Sequence, residues 1–504
     1  MWESDEGETT SYWQSSEDGP KAKELTGPTE TEVCVIGGGI AGLTTAYLLS
    51  KAGISVIVVD DGPIGGGETA RTTAHLSSAI DDRIYRIADW HGDEHARLAV
   101  QAHADAVDEI ERIAAEEGID CDFSRLDGYL VEAEKSEDDM DAEMDAVRKL
   151  GLSGIEWTTD APGEGFQGRA IRFENQGQFH ILKYLNGLIK AIEANGGRLF
   201  SDTAATDWSR GDDGMLVETA AGFIRCTKGI VLATNYPLKS KMFAQLPSYR
   251  TYAIGARVAK GAFPKALIWD TGNPYHYVRM QEQTDHDLLI VGGEDHRTGQ
   301  ADDGDARFEN LWSWTKTHFP VAEEVLHRWS GQCFETHDGL AFIGRYSSSE
   351  PGVYLITGDS GMGMTHGTIG GRLVSDLILG RLNPFEKVFD PSRLASQSIK
   401  EALPEIASST APYVDWLTGG DIDSTDELKN GEGAIVRQGL SKIAAFRDET
   451  GKLHERSAVC THLGCIVRFN STEKTWDCPC HGSRFGCEDG HVINAPALTP
   501  LAKA

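Results

Sequence analysis

Two short segments near the end of the chain contain the residue types that bind metals. Residues 460–465 (CTHLGC) and 478–483 (CPCHGS) each pair a Cys with a nearby His and add a second Cys, and fifteen residues separate His462 from Cys478. Two thiolates and two imidazoles suit a tetrahedral zinc ion, and the same donors occur at iron–sulfur centres. A structural zinc knot rarely needs the additional Cys in each segment, so the pattern favours a redox centre.

The two segments resemble the ligand boxes of Rieske [2Fe–2S] proteins, in which two Cys bind one iron and two His bind the other. The resemblance implies four cluster ligands, which are Cys460, His462, Cys478 and His481. It also implies a disulfide between Cys465 and Cys480 that joins the two loops. Neutral imidazoles leave less negative charge on the cluster than thiolates do, so a Rieske centre accepts an electron more readily than an all-Cys cluster.

The second segment also bears on the reduction potential. Ser483 stands where high-potential Rieske proteins have a hydroxyl donor, whereas Phe485 stands where those proteins have a Tyr. Hydrogen bonds to the sulfur atoms raise the potential. Because one donor is missing, we expect a potential below the top of the Rieske range of roughly −150 to +300 mV.

A second set of residues, near the start of the chain, is typical of dinucleotide binding. An apolar run at 33–36 leads into a G-x-G-x-x-G turn, a helical segment and a second strand that ends in an acid. The three glycines allow a tight turn, a close approach of the backbone to a pyrophosphate and close packing of helix and strand, while the acid accepts hydrogen bonds from a ribose. The predicted nucleotide-binding residues of this unit are Gly37, Gly39, Ile40, Ala41, Gly42 and Asp60.

Several later segments resemble the D-amino-acid-oxidase (glycine/sarcosine-oxidase-like) superfamily, which binds FAD. They are the Gly- and Thr-rich loop at 65–75, the segment 177–180, the strand at 230–234 and the strand, turn and helix at 338–365. The resemblance runs from about residue 32 to 393 and implies further FAD contacts from Arg71, Thr72, Thr73, Gly358, Gly361, Met362, Gly363, Met364 and Thr365. For His75 it leaves two roles open, as an uncharged residue lining the site or as a point of covalent flavin attachment.

The segment 252–293 alternates in hydrophobicity, which predicts antiparallel strands over the flavin. The resembled family commonly oxidises amines or amino acids and holds the substrate carboxylate with a cation. Arg279 is therefore the candidate carboxylate ligand, and Tyr277 and Tyr252 are the other candidate catalytic residues. The sequence contains no second G-x-G-x-x-G unit of the strand–turn–helix type, so an organic substrate is expected to reduce the flavin instead of NAD(P)H.

The motifs predict an α/β FAD-binding Rossmann-like domain with an α+β substrate-side antiparallel sheet, followed by a small all-β Rieske domain. The oxidoreductase is expected at 31–382, with the FAD-binding part at about 31–80, 170–240 and 335–382 and the substrate-side part at about 81–169 and 241–334. A linker is expected at 383–417 and the Rieske domain at 418–504. Residues 1–30 are rich in Glu, Asp, Ser and Gly, which predicts a mobile acidic tail.

The net charge of −31 argues against nucleic acid or an anionic membrane surface as a partner. No run of eighteen apolar residues occurs, so no membrane span is expected. The first residues lack the basic and apolar regions of a signal peptide, and the Cys outside the two boxes are scattered singly, as in proteins of reducing compartments. These features predict a cytoplasmic protein.

Three functions are compatible with these motifs. The favoured one is an FAD-dependent dehydrogenase that oxidises a CH–NH or CH–NH2 group of an amine or amino-acid-like substrate and passes electrons through the Rieske cluster to an unknown acceptor. The alternatives are an H2O2-forming oxidase with a regulatory cluster and a non-catalytic electron carrier or redox sensor. Flavin exchanges electrons in pairs with a substrate and singly with a cluster, which favours the first function.

Overall fold

The computed structural model describes residues 2–4, 6–133, 135–136, 138–163, 165–166, 168–211, 213–236, 246–393 and 408–504. Two large sheets and the helices packed on them lie before residue 394. Two small antiparallel sheets lie after residue 407. This arrangement confirms the predicted fold class.

The first large sheet is mostly parallel and contains the dinucleotide-binding unit. Its strands are β1 Thr29–Ile36, β2 Val56–Val59, β7 Arg198–Phe200, β8 Ala205–Gly211, β9 Gly214–Thr219, β10 Gly222–Leu232, β16 Phe342–Arg345 and β17 Val353–Thr357. The strand order is β16-β17-β10-β1-β2-β7, and β1 pairs in parallel with both β10 and β2. The Val and Ile runs of β1 and β2 are buried, as expected for strands covered on both faces.

The second large sheet is mostly antiparallel and faces the first. Its strands are β3 His75–Leu76, β4 Ser124–Val131, β5 Ile155–Thr158, β6 Ala170–Gln178, β11 Ser248–Val258, β12 Leu267–Asp270, β13 His276–Glu282, β14 Asp287–Arg297 and β15 Val325–Phe334. The order is β15-β11-β14-β13-β12-β4-β6-β3, with β5 paired to β6. The predicted boundaries put β3 and β6 in the FAD-binding part, but both strands pair within this sheet because the chain crosses between the two layers there.

The helices pack mainly around these two sheets. They are α1 Tyr12–Ser16, α2 Ile40–Lys51, α3 Ile84–His91, α4 Asp93–Glu116, α5 Met140–Leu150, α6 Ile181–Ala194, α7 Gly304–His318, α8 Gly363–Ile378 and α9 Glu386–Phe389. Helices α2 and α8 pack against each other, and each begins beside the end of a parallel strand. Within the part of the chain that the structure describes, none of the helices has the length and apolar character of a membrane span.

The described residues of the N-terminal segment pack against the rest of the protein, so the prediction of a mobile tail at 1–30 is wrong. Trp13 is fully buried, and its Nε1 donates to the carbonyl of Thr72 at 2.6 Å. The Glu6 carboxylate accepts a hydrogen bond from Arg484 at 3.0 Å. The segment has the composition of a disordered chain, but its few aromatic side chains supply the apolar burial that such chains lack.

The C-terminal part is all-β, as predicted. One sheet contains β18 Glu432–Gln438, β19 Ser441–Arg447 and β20 Leu453–Ser457, and the other contains β21 Arg468–Asn470, β22 Thr475–Asp477, β23 Arg484–Gly486 and β24 Val492–Asn494. The first Cys/His box lies between β20 and β21, and the second lies between β22 and β23. Within the predicted linker, residues 394–407 are outside the described residues. The segment after them contacts the first box, since Trp416 Nε1 donates to the carbonyl of Gly464 at 2.9 Å.

Candidate functional site

A cavity of about 610 Å³ lies between the two large sheets. Its walls include the carboxyl ends of β1, β2, β10 and β17, the starts of α2 and α8, and side chains from β11, β13 and β15. The C-terminal part closes one side through residues 491–495, 497, 498 and 500. Ligands of doubly wound α/β sheets bind beyond the carboxyl ends of the strands, so the cavity lies where the nucleotide motif predicts a cofactor.

The glycines of the nucleotide motif have distinct steric roles. Gly37 has a φ of +108°, and a Cβ on it would lie 2.3 Å from the carbonyl oxygen of Ala233. A Cβ on Gly42 would lie 1.9 Å from the carbonyl oxygen of Gly37, so Gly42 allows the helix to pack closely behind the cavity wall. Gly39 and Asp60 line the cavity itself, as do the first two residues of α2. This wall fits the adenosine diphosphate part of FAD.

The turn that precedes α8 forms the opposite wall. Gly361 has a φ of +72°, which favours glycine there. Thr365, in the first turn of α8, is hydrogen-bonded through Oγ1 to Nδ1 of His103 on α4 at 2.8 Å. The N–H groups of a first helical turn have no partner within the helix and lie at its positive end. The cavity lining includes all the predicted FAD contacts of this turn, namely Gly358, Gly361, Met362, Gly363, Met364 and Thr365.

Arg71 lines the cavity together with Thr72 and Thr73, but its charge is already paired. Its Nη2 lies 2.8 Å from Oε1 of Glu473 in the C-terminal part, and both side chains are fully buried. Its Nε donates to the carbonyl of Ser330. The guanidinium therefore joins the two parts of the protein, and the FAD contact expected of Arg71 stays a prediction.

Arg279 does not lie on the cavity wall, which corrects the expectation that it holds a substrate carboxylate. It is 1% exposed, and its Nη1 donates to the carbonyls of Ala74 at 2.8 Å and Phe179 at 3.0 Å. Burial lowers the pKa of Arg279 to about 9. Its donors support the loop that carries the cavity-lining threonines. The other two candidates, Tyr252 and Tyr277, do line the cavity.

His75 lines the cavity as a neutral ring with both nitrogens hydrogen-bonded. Nδ1 is 3.0 Å from Oγ1 of Thr73, and Nε2 is 3.2 Å from the carbonyl oxygen of Val278. Burial, with a smaller effect from Arg279, lowers the pKa of His75 to about 3. This position agrees with the first of its two predicted roles, as an uncharged lining residue.

Four cavity residues on the side of the second sheet were not anticipated from the sequence, and these are Asp81, Trp269, Tyr275 and Asp295. Asp295 follows the paired glycines 292–293 near the end of β14. This position at a strand end was the one sequence feature that could have indicated a site residue. Burial raises the pKa of Asp295 to about 6. Asp81 comes from a loop far away in sequence, so no local pattern connects the two acids.

The two Cys/His boxes form facing loops in the C-terminal part. Cys465 and Cys480 are joined by a disulfide with an S–S distance of 2.06 Å, which agrees with the expected pairing. The rings of His462 and His481 have centroids 5.1 Å apart at an interplanar angle of 83°. In both rings Nδ1 is buried and has no hydrogen-bond partner among the residues that the structure describes. Two adjacent imidazole nitrogens without partners fit a pair of metal ligands.

The two remaining thiols of the boxes are also adjacent and buried. A hydrogen bond from Cys478 lowers the pKa of Cys460, and a hydrogen bond from the Ser483 hydroxyl lowers it further. Ser483 is thus placed as the predicted sulfur donor, and Phe485 is fully buried without a hydroxyl to offer. Two thiols and two free imidazole nitrogens fit the donor set of a Rieske cluster.

The second box docks on the oxidoreductase part. Nε2 of Gln332 on β15 donates to the carbonyl of Gly482 at 2.8 Å, and Nε2 of Gln300 donates to the carbonyl of Pro479 at 3.1 Å. A Cβ on Gly482 would lie 2.1 Å from Oγ of Ser248, so the loop fits closely against the start of β11. Gln332 also lines the cavity, so one side chain contacts both candidate cofactor sites.

Comparison with known proteins gives the same division of the chain. The family model described as FAD dependent oxidoreductase matches residues 32–377, and the Rieske [2Fe-2S] domain model matches residues 420–504. The Bacillus subtilis (strain 168) protein YhfW, named as a Rieske 2Fe-2S iron-sulfur protein, is 34% identical over 97% of this chain and 96% of its own length. Gamma-glutamylputrescine oxidoreductase of Escherichia coli (strain K12) is 26% identical over 70% of this chain and 85% of its own length.

Solved structures share the fold of the first part. Glycine oxidase from Geobacillus kaustophilus superposes with a TM-score of 0.58 at 19% identity, covering 73% of this chain and 99% of that one. L-proline dehydrogenase from P. horikoshii superposes with a TM-score of 0.60 at 20% identity, covering 73% of this chain and 98% of that one. The predicted cofactors are confirmed at the level of the two families, as FAD for the first part and a [2Fe–2S] cluster for the second.

Proposed function

Because the chain belongs to the FAD-dependent oxidoreductase family and ends in a Rieske [2Fe–2S] domain, we propose that it dehydrogenates an amine or amino-acid-like substrate and passes the electrons through its cluster. The final acceptor is then a separate one-electron carrier. The relatives support the substrate class, since one is named for gamma-glutamylputrescine and another for L-proline. In this proposal the second domain is the electron outlet of the first.

The proposed cluster ligands are the two thiolates and two imidazoles of the boxes, namely Cys460, Cys478, His462 and His481. The partnerless Nδ1 atoms of the two His support this assignment. The disulfide supports it as well, because it holds the two ligand loops together without using a ligand sulfur. The proposed FAD contacts are the glycines and threonines of the cavity wall, including Gly39 and Thr365.

The observation that carries the coupling is the contact between the second ligand loop and β15. Gln332 lines the cavity with its neighbours Gly331 and Cys333, and it also donates to the carbonyl of Gly482. Gly482 directly follows the proposed ligand His481. Electron transfer through protein slows steeply with distance, so docked cofactors need no movement of the domain. The buried pair of Arg71 and Glu473 supports fixed docking over a swinging linker.

The reaction for a primary amine is R–CH2–NH3⁺ + H2O → R–CHO + NH4⁺ + 2 H⁺ + 2 e⁻. FAD, held by the glycines and threonines of the cavity wall, would supply hydride acceptance and one-electron release. In this proposal the cavity wall holds the substrate and excludes bulk water, and the Asp295 carboxylate, whose pKa burial raises to about 6, accepts the proton of the ammonium group. Water then hydrolyses the imine to the aldehyde.

Replacing a single proposed ligand tests this function. In His481→Gln, anaerobic substrate should still bleach the flavin, because the cavity is intact, but the electrons should then stop there. Stopped-flow absorbance of flavin and cluster, together with reduction of an added one-electron acceptor, gives the measurement. The matched control is His454→Gln, in the same domain, where a Gln amide can still donate to Asp448.

The proposal predicts rapid flavin bleaching and lost acceptor reduction in His481→Gln, with both steps normal in His454→Gln. Acceptor reduction that continues at the wild-type rate without a cluster would rule out the outlet role. If oxygen uptake matches substrate consumption in the wild type while the cluster stays oxidised, the protein is an oxidase instead. If no amine bleaches the flavin, the substrate class is wrong.

A further inference from the structure

The side of the cavity formed by the second sheet has three aromatic rings close together. The ring centroids of Tyr275 and Tyr277 are 5.6 Å apart, and Trp269 lies on the neighbouring strand β12. Glycines opposite the rings make room for them: a Cβ on Gly128 would lie 2.5 Å from the Trp269 ring, and one on Gly292 would lie 2.2 Å from the Tyr277 ring. The rings of Trp269 and Tyr277 therefore occupy space that a side chain at position 128 or 292 would fill.

Two carboxylates come to this cavity from different parts of the chain. Asp81 comes from the loop after β3, and its Oδ2 would lie 2.8 Å from a Cβ on Gly361 at the start of α8. Asp295 comes from β14. Both carboxylates line the same cavity as the three rings.

Within the described part of the chain neither carboxylate forms a salt bridge, although the charge of Arg83 acts on Asp81. Their hydrogen-bond partners are hydroxyls, Tyr275 for Asp81 and Thr251 for Asp295. The nearby Arg83 forms its salt bridge with Asp138 at 2.7 Å. Burial raises the pKa of both acids, and the opposing effects, chiefly the charge of Arg83 on Asp81 and the Thr251 hydroxyl on Asp295, offset it only in part.

The cationic side chains close to this space are engaged elsewhere. The guanidinium carbon of Arg83 lies 5.9 Å from the Tyr275 ring centroid, and its charge is paired with Asp138. Arg71 is paired with Glu473, and Arg279 donates to backbone carbonyls behind the wall. His75 is neutral, since burial lowers its pKa to about 3. Among the residues that the structure describes, the lining includes no Lys, and its single Arg is the paired one. An anion placed here would face two carboxylates without compensation.

We propose that this side of the cavity binds the ammonium group of an amine that has no carboxylate on the reacting carbon. The aromatic faces of Trp269, Tyr275 and Tyr277 attract a cation, and Asp81 and Asp295 supply the counter-charge. This inference rests on the proposed function and narrows its substrate class from amines or amino acids to amines. Amino acids fail because their carboxylate would meet the same two acids.

Matched substrate pairs test the inference in the holoenzyme. Each pair has one carbon skeleton with and without the α-carboxylate: 1,4-diaminobutane with ornithine, 1,5-diaminopentane with lysine, and phenethylamine with phenylalanine. Anaerobic flavin bleaching is recorded for all six compounds. We expect the decarboxylated member to bleach the flavin at least about ten-fold faster in every pair that reacts. Ten-fold is the change in rate or affinity that corresponds to one interaction with a charged group. Equal or faster bleaching by the amino acids would overturn the inference.

A binding experiment separates recognition from turnover. Tetramethylammonium has no N–H and cannot form an imine, and tert-butanol is a neutral compound of similar shape. Calorimetry on the FAD-loaded protein should show binding of the cation and none of the alcohol. Asp295→Asn should weaken the cation by at least about ten-fold, while its amide oxygen still accepts from Thr251. The matched control Asp285→Asn removes an exposed carboxylate on the turn between β13 and β14 and should leave binding unchanged.

The outcomes distinguish this inference from the proposed function. FAD content, read from absorbance, confirms that each variant is folded and loaded. If amino acids bleach the flavin and the cluster is then reduced, the function stands and the amine inference falls. Unchanged binding of tetramethylammonium in both Asp295→Asn and Asp81→Asn also overturns the inference. If the amines bind and bleach the flavin but the cluster stays oxidised, the inference stands and the outlet proposal falls.

Discussion

Glu473 is the residue whose substitution should most directly loosen the contact between the two parts of the protein. Its carboxylate is fully buried and lies 2.8 Å from Arg71 and 3.8 Å from Arg250. It also accepts hydrogen bonds from Thr9 and from the Ser330 hydroxyl. The change Glu473→Gln keeps the size of the side chain, removes the charge and turns one acceptor into a donor that faces the Thr9 N–H.

The pKa of this carboxyl gives the size of the effect. Burial opposes ionisation, but Arg71 and Arg250 hold the pKa of Glu473 at about 2, against an ordinary value of 4.5. At 1.36 kcal/mol per pKa unit, this difference corresponds to about 3 kcal/mol. Removing one partner of a buried pair typically costs about 3–5 kcal/mol. We therefore expect Glu473→Gln to lower the free energy of unfolding by about 3 kcal/mol at neutral pH.

Denaturant unfolding should be followed by two signals, cluster circular dichroism and flavin fluorescence, because the domains need not unfold together. Glu488→Gln removes an exposed carboxylate from the same domain and should change stability by less than about 0.5 kcal/mol. A folded pKa below the unfolded one means that the contribution is complete above about 4.5 and is lost as pH falls towards about 2. The difference between wild type and Glu473→Gln should therefore shrink on acidification. A loss below about 1 kcal/mol at neutral pH in both signals would refute the reasoning.

Three further predictions concern the cofactors. Gly39→Val should reduce FAD occupancy because its side chain would enter the cavity wall, whereas Gly27→Val, which has open space around it, should not; full occupancy in the first variant would contradict the assignment. Ser483→Ala should lower the cluster potential in a redox titration, since the hydroxyl donates to Cys460. Acid precipitation should release all FAD into the supernatant, because both ring nitrogens of His75 are engaged, and flavin that stays on the polypeptide would show covalent attachment.

The local motifs predicted the parts of the fold that depend on short-range chemistry. The spacing of Gly37 and Gly42 fixed a βαβ unit because no other residue fits those contacts. The boxes around Cys460 and Cys478 predicted the cluster site equally well, because a site with four ligands and a disulfide requires Cys and His at definite positions in each loop. In both cases the physical constraint lies within a few neighbouring positions.

The rest depended on contacts between distant residues. The tail prediction failed because composition does not show that Trp13 finds a buried site beside Thr72. The role proposed for Arg279 differs from its position because hydrophobic alternation gives the face of a strand but not the depth of a side chain. Arg71 pairs with Glu473 across more than four hundred residues of sequence, so no local pattern could show that its charge is already used.

The central claim is that electrons leave the flavin through the cluster of the same chain. The most direct measurement is anaerobic stopped-flow spectroscopy of the wild type with the most reactive amine, followed in the flavin and cluster bands. The account predicts flavin bleaching first and cluster reduction next, at a rate independent of protein concentration and no slower than turnover. A cluster that stays oxidised through complete substrate turnover, or one that is reduced only in proportion to protein concentration, would contradict it.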